Sequence, residues 1–469
     1  MYDLFFETIS SVASSLKKKE ISPVELTTKL LERIERLEPT LNAFITVLSD
    51  DALTQAKLLE QELQQGNVRG PLHGVPIAIK DVFETKDRIT TAGSKIFEGW
   101  KPDKDAAVIQ CLKDAGAIII GKNNLHEFCA GSTTENPHYG QTRNPWDVNK
   151  IPGGSSGGSA VAVATGMCFG AVGTDTTGSV RLPSSICGVV GLKPTYEVVS
   201  REGLVPLSWT FDHIGPISRT VEDSAIMLSV MADKDKLGKL DLNLSFQKDS
   251  LYGVRIGVCD DYFFEHMDPE MKDIVHTAIQ KLQDLGAEII EINLPNTDQA
   301  LEAQKTIAKS EAYSFHKPMF DKYPERYGKD LNVRLNSGKE VTASEYLQAQ
   351  RFRRRFIDNA LHTLRQCDII VSPTNVIVPY DIGTIPPEKT INNIFNLGKT
   401  AIASFLGFPA ITVPCGFTRQ LLPVGMQLIG KPYSEGLLLE VGSVYEKSEN
   451  WVDYLRVNRA YEKHEQLKG

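Results

Sequence analysis

Pro152–Pro194 reads PGGSSGGSAVAVATGMCFGAVGTDTTGSVRLPSSICGVVGLKP. No charged residue falls between Lys150 and Asp175. Glycine, serine and alanine recur, so the backbone can approach other groups closely and enter φ > 0 without strain. A surface loop has no reason to exclude charge so thoroughly, and a membrane span would not open on Pro-Gly-Gly-Ser-Ser-Gly-Gly. The pattern predicts a buried helix and strand of small residues between two tight polar turns. One turn holds Ser155 and the other Ser179.

Outward from this stretch the chain alternates strand and helix signals, which predicts α/β architecture. Upstream, Ser22-Pro23-Val24-Glu25 starts a helix, with Ser22 as cap and Glu25 closing a capping box. Leu26, Leu30, Leu31, Ile34 and Leu37 follow at helical spacing, and Pro39 ends the run. A second helix spans about 51–65. The apolar run from Gly74 ends in Lys80-Asp81. A helix at 106–116 leads to a buried strand at 117–121. Downstream, a loop-rich segment runs to Thr220, and Val221 begins another helix. Strands are expected at 254–258, 287–292, 368–373, 411–414 and 425–430, and helices at 268–285, 297–316 and 343–366. The expected organisation is one domain over 1–469: a helical N-terminal region to about 66, a core over about 67–230, and a C-terminal lobe over about 251–450 that completes the sheet.

The 469 residues are 41% hydrophobic and 23% charged, with a net charge of −8. That is ordinary globular composition with no cationic footprint for nucleic acid. Lys17-Lys18-Lys19 is followed at once by Glu20 and reads as a solvated helix end. Seven cysteines without a C-x-x-C pair argue against a disulfide framework or a zinc site. The acids near Met1 do not suit a signal peptide, and no apolar run reaches membrane-spanning length. A reduced, cytoplasmic setting is expected.

Three motifs in the chain are set aside on their surroundings. Gly153-Gly154-Ser155-Ser156-Gly157 fits the nucleophile-elbow pattern G-x-S-x-G, but no strand precedes it and no histidine is marked as its base. Ser14-Ser15-Leu16-Lys17 fits S-x-x-K on a polar helix without glycine turns. The glycine-rich loop has no lysine after Gly157-Gly158 to hold a phosphate. What remains is Lys80 with Ser155 and Ser179. A serine hydroxyl needs a base, and a lysine can serve when burial lowers its pKa. The apolar lead-in Val75, Ile77, Ile79 favours such burial. The alternative is that Lys80 pairs with Asp81 at a surface strand end.

With these residues in view the chain resembles the amidase signature family. The resemblance rests on Gly74–Asp81, Gly121–Phe128, Pro152–Ser159, Gly173–Pro183 and Cys187–Thr195. It implies a single α/β/α domain with a mixed central sheet flanked by helices. It also implies roles: Lys80 as base, Ser155 as a bridging serine on a cis peptide, Ser179 as nucleophile, and an oxyanion hole from the backbone of Thr176, Thr177, Gly178 and Ser179. Ser156, beside Ser155, is then left to stabilise the turn as a cap for the next helix. The 126–132 loop would contribute Cys129, Gly131 and Ser132 to the substrate pocket, a small and fairly apolar wall. One departure stands out: the family usually has Gly-Gly-Ser where this chain has Thr177-Gly178-Ser179. The β-branched Thr177 is expected to narrow the backbone choices of the turn and to project toward the pocket.

The activity implied is hydrolysis of a carboxylic amide through a Ser179 acyl-enzyme, without metal or organic cofactor. The expected partner is a small amide, with no nucleic acid and no membrane, and a homodimer is allowed. Two rival readings remain. One is the glutaminase subunit of a tRNA-dependent amidotransferase, in the same family. Glutamine would need a cation for its α-carboxylate, available from Arg351, Arg353, Arg354 or Arg355, and an acid for its α-amine. The stretch from Asn392 to Pro409 contains no acid. The other is a non-catalytic binding protein on the same fold.

Overall fold

The computed structural model describes residues 4–387, 389, 393–449 and 451–457. Asn392, where the acid-free stretch begins, lies outside them. The local signals translate into elements close to expectation. Ser22 Oγ accepts the Glu25 N–H at 3.0 Å and Pro23 opens the helix Pro23–Leu41, which buries Leu26, Leu30, Ile34 and Leu37. Two details differ. Glu25 does not close the capping box but pairs with Lys29 at 2.7 Å on the exposed face. Pro39 sits inside the helix, which stops at Asn42 in the left-handed region (φ 48°). A proline this near the end forfeits a single N–H, and burial of Leu41 holds the extra residues.

The strands are β1 (Phe44–Val47), β2 (Pro76–Lys80), β3 (Ile118–Asn123), β4 (Glu135–Asn136), β5 (Gly140–Gln141), β6 (Gly170–Asp175), β7 (Val190–Lys193), β8 (His213–Ser218), β9 (Arg255–Val258), β10 (Glu288–Glu291), β11 (Ile369–Pro373), β12 (Ala410–Phe417) and β13 (Pro423–Gly430). β4 and β5 form a small ribbon; the rest make one 11-stranded sheet in the order β1-β3-β2-β6-β8-β7-β12-β13-β11-β9-β10. β2 runs parallel to both β3 and β6, and β9 runs parallel to β10 and β11. The middle of the sheet is antiparallel. The architecture is therefore a mixed sheet flanked by helices. Among the described residues no helix is long and apolar enough to cross a membrane.

The segment expected to be loop-rich contains β8, which lies in the heart of the sheet between β6 and β7. Its Gly215-Pro216 reads as a turn in isolation. In the sheet, a Cβ at Gly215 would lie 1.9 Å from the Leu192 carbonyl, so glycine is there for close strand approach.

The stretch at 152–194 forms the helix Gly157–Ala164, then β6, then the helix Arg181–Cys187 and β7. Small residues are needed because this helix is pressed against the chain on all sides. A Cβ at Gly158 would come within 2.4 Å of the Ala43 and Asn124 carbonyls. The topology brings Lys80, at the end of β2, beside the end of the parallel neighbour β6. In sheets of this kind ligands gather at the carboxyl ends of parallel strands.

Candidate active site

Lys80 closes β2 and is fully buried. Its Nζ donates to Ser155 Oγ at 2.7 Å and to Thr174 Oγ1 at 2.8 Å. The surface pairing with Asp81 does not occur: Asp81 is itself buried and pairs with Lys122 at 2.8 Å. Burial pushes the Lys80 ammonium below its ordinary range, because desolvation disfavours the charged form. Cys129 lies alongside, its Sγ 3.5 Å from Thr174 Oγ1.

The first glycine turn presents Ser155 and not Ser156 to the lysine. The Gly154–Ser155 peptide is cis. Thr134 pins the turn: its Oγ1 donates to the Gly153 carbonyl at 2.8 Å and accepts from the Gly157 N–H at 3.1 Å. Ser156 does not cap the following helix as expected. Its hydroxyl donates to the Thr174 carbonyl at 3.2 Å and accepts the Thr174 N–H at 3.3 Å, because β6 runs close enough to offer both groups. The Ser156 N–H in turn donates to the Ser179 carbonyl at 3.2 Å, which joins the two turns. Ser155 Oγ and Ser179 Oγ are not hydrogen-bonded to one another here. Among the described residues no histidine side chain is bonded to either serine, as a nucleophile elbow would need.

The second turn carries free donors. The N–H groups of Thr176, Thr177, Gly178 and Ser179 donate to no acceptor among the described residues. Side chains from distant elements hold the turn. Thr176 Oγ1 donates to Asp212 at 2.6 Å, Gln304 Nε2 donates to the Thr176 carbonyl at 3.4 Å, and Thr400 Oγ1 donates to the Thr177 carbonyl at 2.6 Å. Asp175 anchors the following helix through Arg181 at 2.9 Å. Burial alone would raise the Asp175 carboxyl, but the Arg181 guanidinium outweighs it and holds it below the usual carboxylate range. Asp212, with no cation at contact distance among the described residues, is pushed up by burial to about 6.

Gly178 has φ 139°, and a Cβ there would meet Thr400 Oγ1 at 1.9 Å, so no other residue fits. Thr177 is not among the positive-φ residues, so the glycine usual in the family is not needed there. Thr177 is also the single residue from 151 to 195 that is not buried, which puts it where the site meets solvent.

The 126–132 loop is packed under this arrangement. Phe128 and Cys129 adopt positive φ (46° and 61°). Gly131 lies against the His126 ring, which is bonded to Asp330 at 2.5 Å. Ser132 is buried with its hydroxyl unpartnered among the described residues, and its backbone packs against Gly154, one residue before Ser155. Of the four candidate arginines, Arg353 is half-buried, its Nε donating to the Phe405 carbonyl at 2.7 Å and its guanidinium 5.4 Å from the Phe211 ring centre; Arg351, Arg354 and Arg355 are exposed. Sequence reading had no signal for Thr174, Asp212, Gln304 or Thr400. Each matters through contacts that the fold creates.

The amidase family model matches residues 25–439. One glutamyl-tRNA(Gln) amidotransferase subunit, from Cyanothece sp., is 38% identical over 95% of this chain and 98% of its own. Among solved structures, one described as an amidase superposes with a TM-score of 0.86 at 31% identity, over 94% of this chain and all of the other. The corresponding glutamyl-tRNA(Gln) amidotransferase subunit from Thermotoga maritima superposes with a TM-score of 0.81 at 34% identity, over 96% and 97% of the two chains. These relatives overturn one expectation. A partner set confined to a small amide, with no nucleic acid and at most a second copy, does not stand beside full-length relatives named for one component of an enzyme of glutamyl-tRNA(Gln). Composition misled here because one component of a complex can serve a tRNA reaction without carrying a basic surface itself.

Proposed function

The chain belongs to the amidase signature family of amide-cleaving enzymes, and from that premise we propose that it is the glutaminase subunit of a tRNA-dependent amidotransferase, with Ser179 as its nucleophile. The observation that carries the chemistry is the 2.7 Å contact of a fully buried Lys80 with Ser155, one hydrogen bond from the turn of Ser179. Neutral Lys80 accepts a proton through Ser155 as Ser179 Oγ attacks the amide carbonyl. The N–H groups of 176–179, which no acceptor among the described residues engages, stabilise the oxyanion, and donors left free in this way need break no existing bond during reaction. The C–N bond breaks, the proton returns through Ser155 to the leaving nitrogen, and ammonia departs. Water then hydrolyses the acyl-enzyme by the same relay. The cytoplasm suits a chain with seven unpaired thiols.

The complex is supported by relatives of 38–39% identity along nearly the whole chain that bear the amidotransferase name. The test is ammonia release from glutamine by the purified chain and by any complex that co-purifies with it. Glutamine-dependent release, raised by the other components of the complex, is expected. Hydrolysis of other amides by the chain alone, with glutamine untouched, would defeat the glutaminase reading. One observation favours that second reading, an amidase of another amide. The buried acids Asp175, Asp212 and Glu311 are each engaged by protein donors, so none stands free for an α-ammonium.

The two adjacent serines should separate in experiment. Ser155→Ala should cost about 10²–10⁴-fold in turnover, the range of a positioned proton transfer. Ser156→Ala should cost less than about tenfold in turnover but roughly 1–3 kcal/mol of stability, since it strands the buried Thr174 amide groups. Single-turnover rates and thermal melts of both variants check this. The reverse ranking would mean that Ser156 is the relay.

A further inference from the structure

Gln304 lies on the long helix Thr297–Phe320, far in sequence from both glycine turns, and is 1% exposed. Its side-chain nitrogen donates to the Thr176 carbonyl at 3.4 Å. That carbonyl can only accept, so the amide orientation is fixed and Oε1 points away from it. Gln304 Oε1 has no partner among the described residues. A buried carbonyl without a donor costs free energy, and such a group is retained where something else supplies the donor. The candidate donors already in the turn are directed elsewhere: the N–H groups of 176–179 are needed for an oxyanion.

On the reading of Ser179 as nucleophile, the geometry points to Gln304 as a specificity-determining residue whose Oε1 accepts an N–H of the scissile carboxamide. An amide presents its carbonyl oxygen and its N–H hydrogens about one bond angle apart. A site that holds the oxygen on the turn therefore needs an acceptor beside that turn for the nitrogen. Gln304 is the buried side chain anchored to the first residue of the turn, with a neutral acceptor left over. Neutrality suits an uncharged carboxamide better than an ammonium, which in a buried site calls for a carboxylate. The consequence is selectivity for amides over esters. An ester of the same acid gives the same acyl-enzyme and the same oxyanion, but has no N–H to offer Gln304.

The test compares glutamine with the γ-methyl ester of glutamate, which share one acyl group, in the wild-type protein and in Gln304→Met and Gln304→Glu, using the complex if one co-purifies. If glutamine is not the substrate, the best amide from benzamide and short aliphatic amides is paired with its own methyl ester. Gln304→Met should lower kcat/KM for the amide about 10–100-fold and for the ester less than about threefold, as expected for loss of one buried hydrogen bond to substrate. Gln304→Glu keeps an acceptor for the substrate only while its carboxyl is protonated, because the protonated oxygen must replace the Nε2 donor to the Thr176 carbonyl. Its amide rate should exceed that of Gln304→Met at the acid end of the working range and fall to it as the pH rises. Equal losses on amide and ester would reduce Gln304 to a support of the turn and overturn the inference, as would unchanged rates on both; either leaves the Ser179 assignment standing. Hydrolysis of neither substrate class by the wild-type protein would remove the functional reading and this inference with it.

Discussion

Ser179→Ala is expected to eliminate acyl-enzyme formation and to lower turnover by about 10⁴–10⁶-fold, the loss usual when a nucleophile is removed and only binding and oxyanion contacts remain. The protein should stay folded. The Ser179 contact that joins the two turns is made by its backbone carbonyl, which alanine keeps. The side chain is 3% exposed and is not tied to Ser155, so removing one oxygen leaves the packing almost unchanged. Melting should therefore move little, within the range of about 0.5 kcal/mol typical of mild substitutions. The decisive measurement is intact mass after reaction with a fluorophosphonate: wild type gains one adduct and Ser179→Ala gains none. A variant that is still labelled, or that keeps more than a few per cent of wild-type turnover, would mean the nucleophile lies elsewhere. Labelling of the wild type would also dispose of a purely non-catalytic role.

Lys80→Met should cost about 10²–10⁴-fold at every pH, because no other base among the described residues is bonded to Ser155. In the wild type the rate should rise with pH as Lys80 loses its proton, then level off. Burial lowers its pKa, which brings that rise down from the alkaline range of a free lysine toward working pH. The same shift predicts stability. An unfolded lysine titrates near about 10.4, and the folded one lower. Between the two values the unfolded chain binds the extra proton, so the burden of the buried ammonium is complete below the folded pKa and disappears above the unfolded one. Lys80→Met removes that burden. It should melt no lower than wild type at neutral pH while being nearly inactive, which separates loss of chemistry from loss of fold. A pH-independent rate from 6 to about 9 with chemistry rate-limiting, or rescue of the variant at high pH, would count against a lysine base.

The sequence by itself determined the α/β rhythm and the two glycine turns, and it marked Lys80, Ser155 and Ser179 as candidates. The rhythm and the turns are local properties. Periodicity, caps and the exclusion of charge act over a few residues, and a turn that tolerates φ > 0 declares itself by its glycines. The same local reading failed at β8, because Gly215-Pro216 is a turn signal until Leu192 is known to pass within contact distance. It also failed for the partners, since composition reports on the surface of one chain and not on complexes such as those for which its relatives are named. Only the tertiary structure decided that Ser155 faces the lysine while Ser156 turns to Thr174. Two adjacent serines are identical in composition, and the register of β2 against β6 selects between them. Asp212, Gln304 and Thr400 were likewise invisible. They reach the turn at 176–178 across separations of 36, 128 and 223 residues, and nothing local to them marks that encounter. The candidate side chains could be named because the proposed chemistry needs particular residue types. The groups that hold them were not, because many residue types can make a hydrogen bond and the fold alone decides which ones arrive.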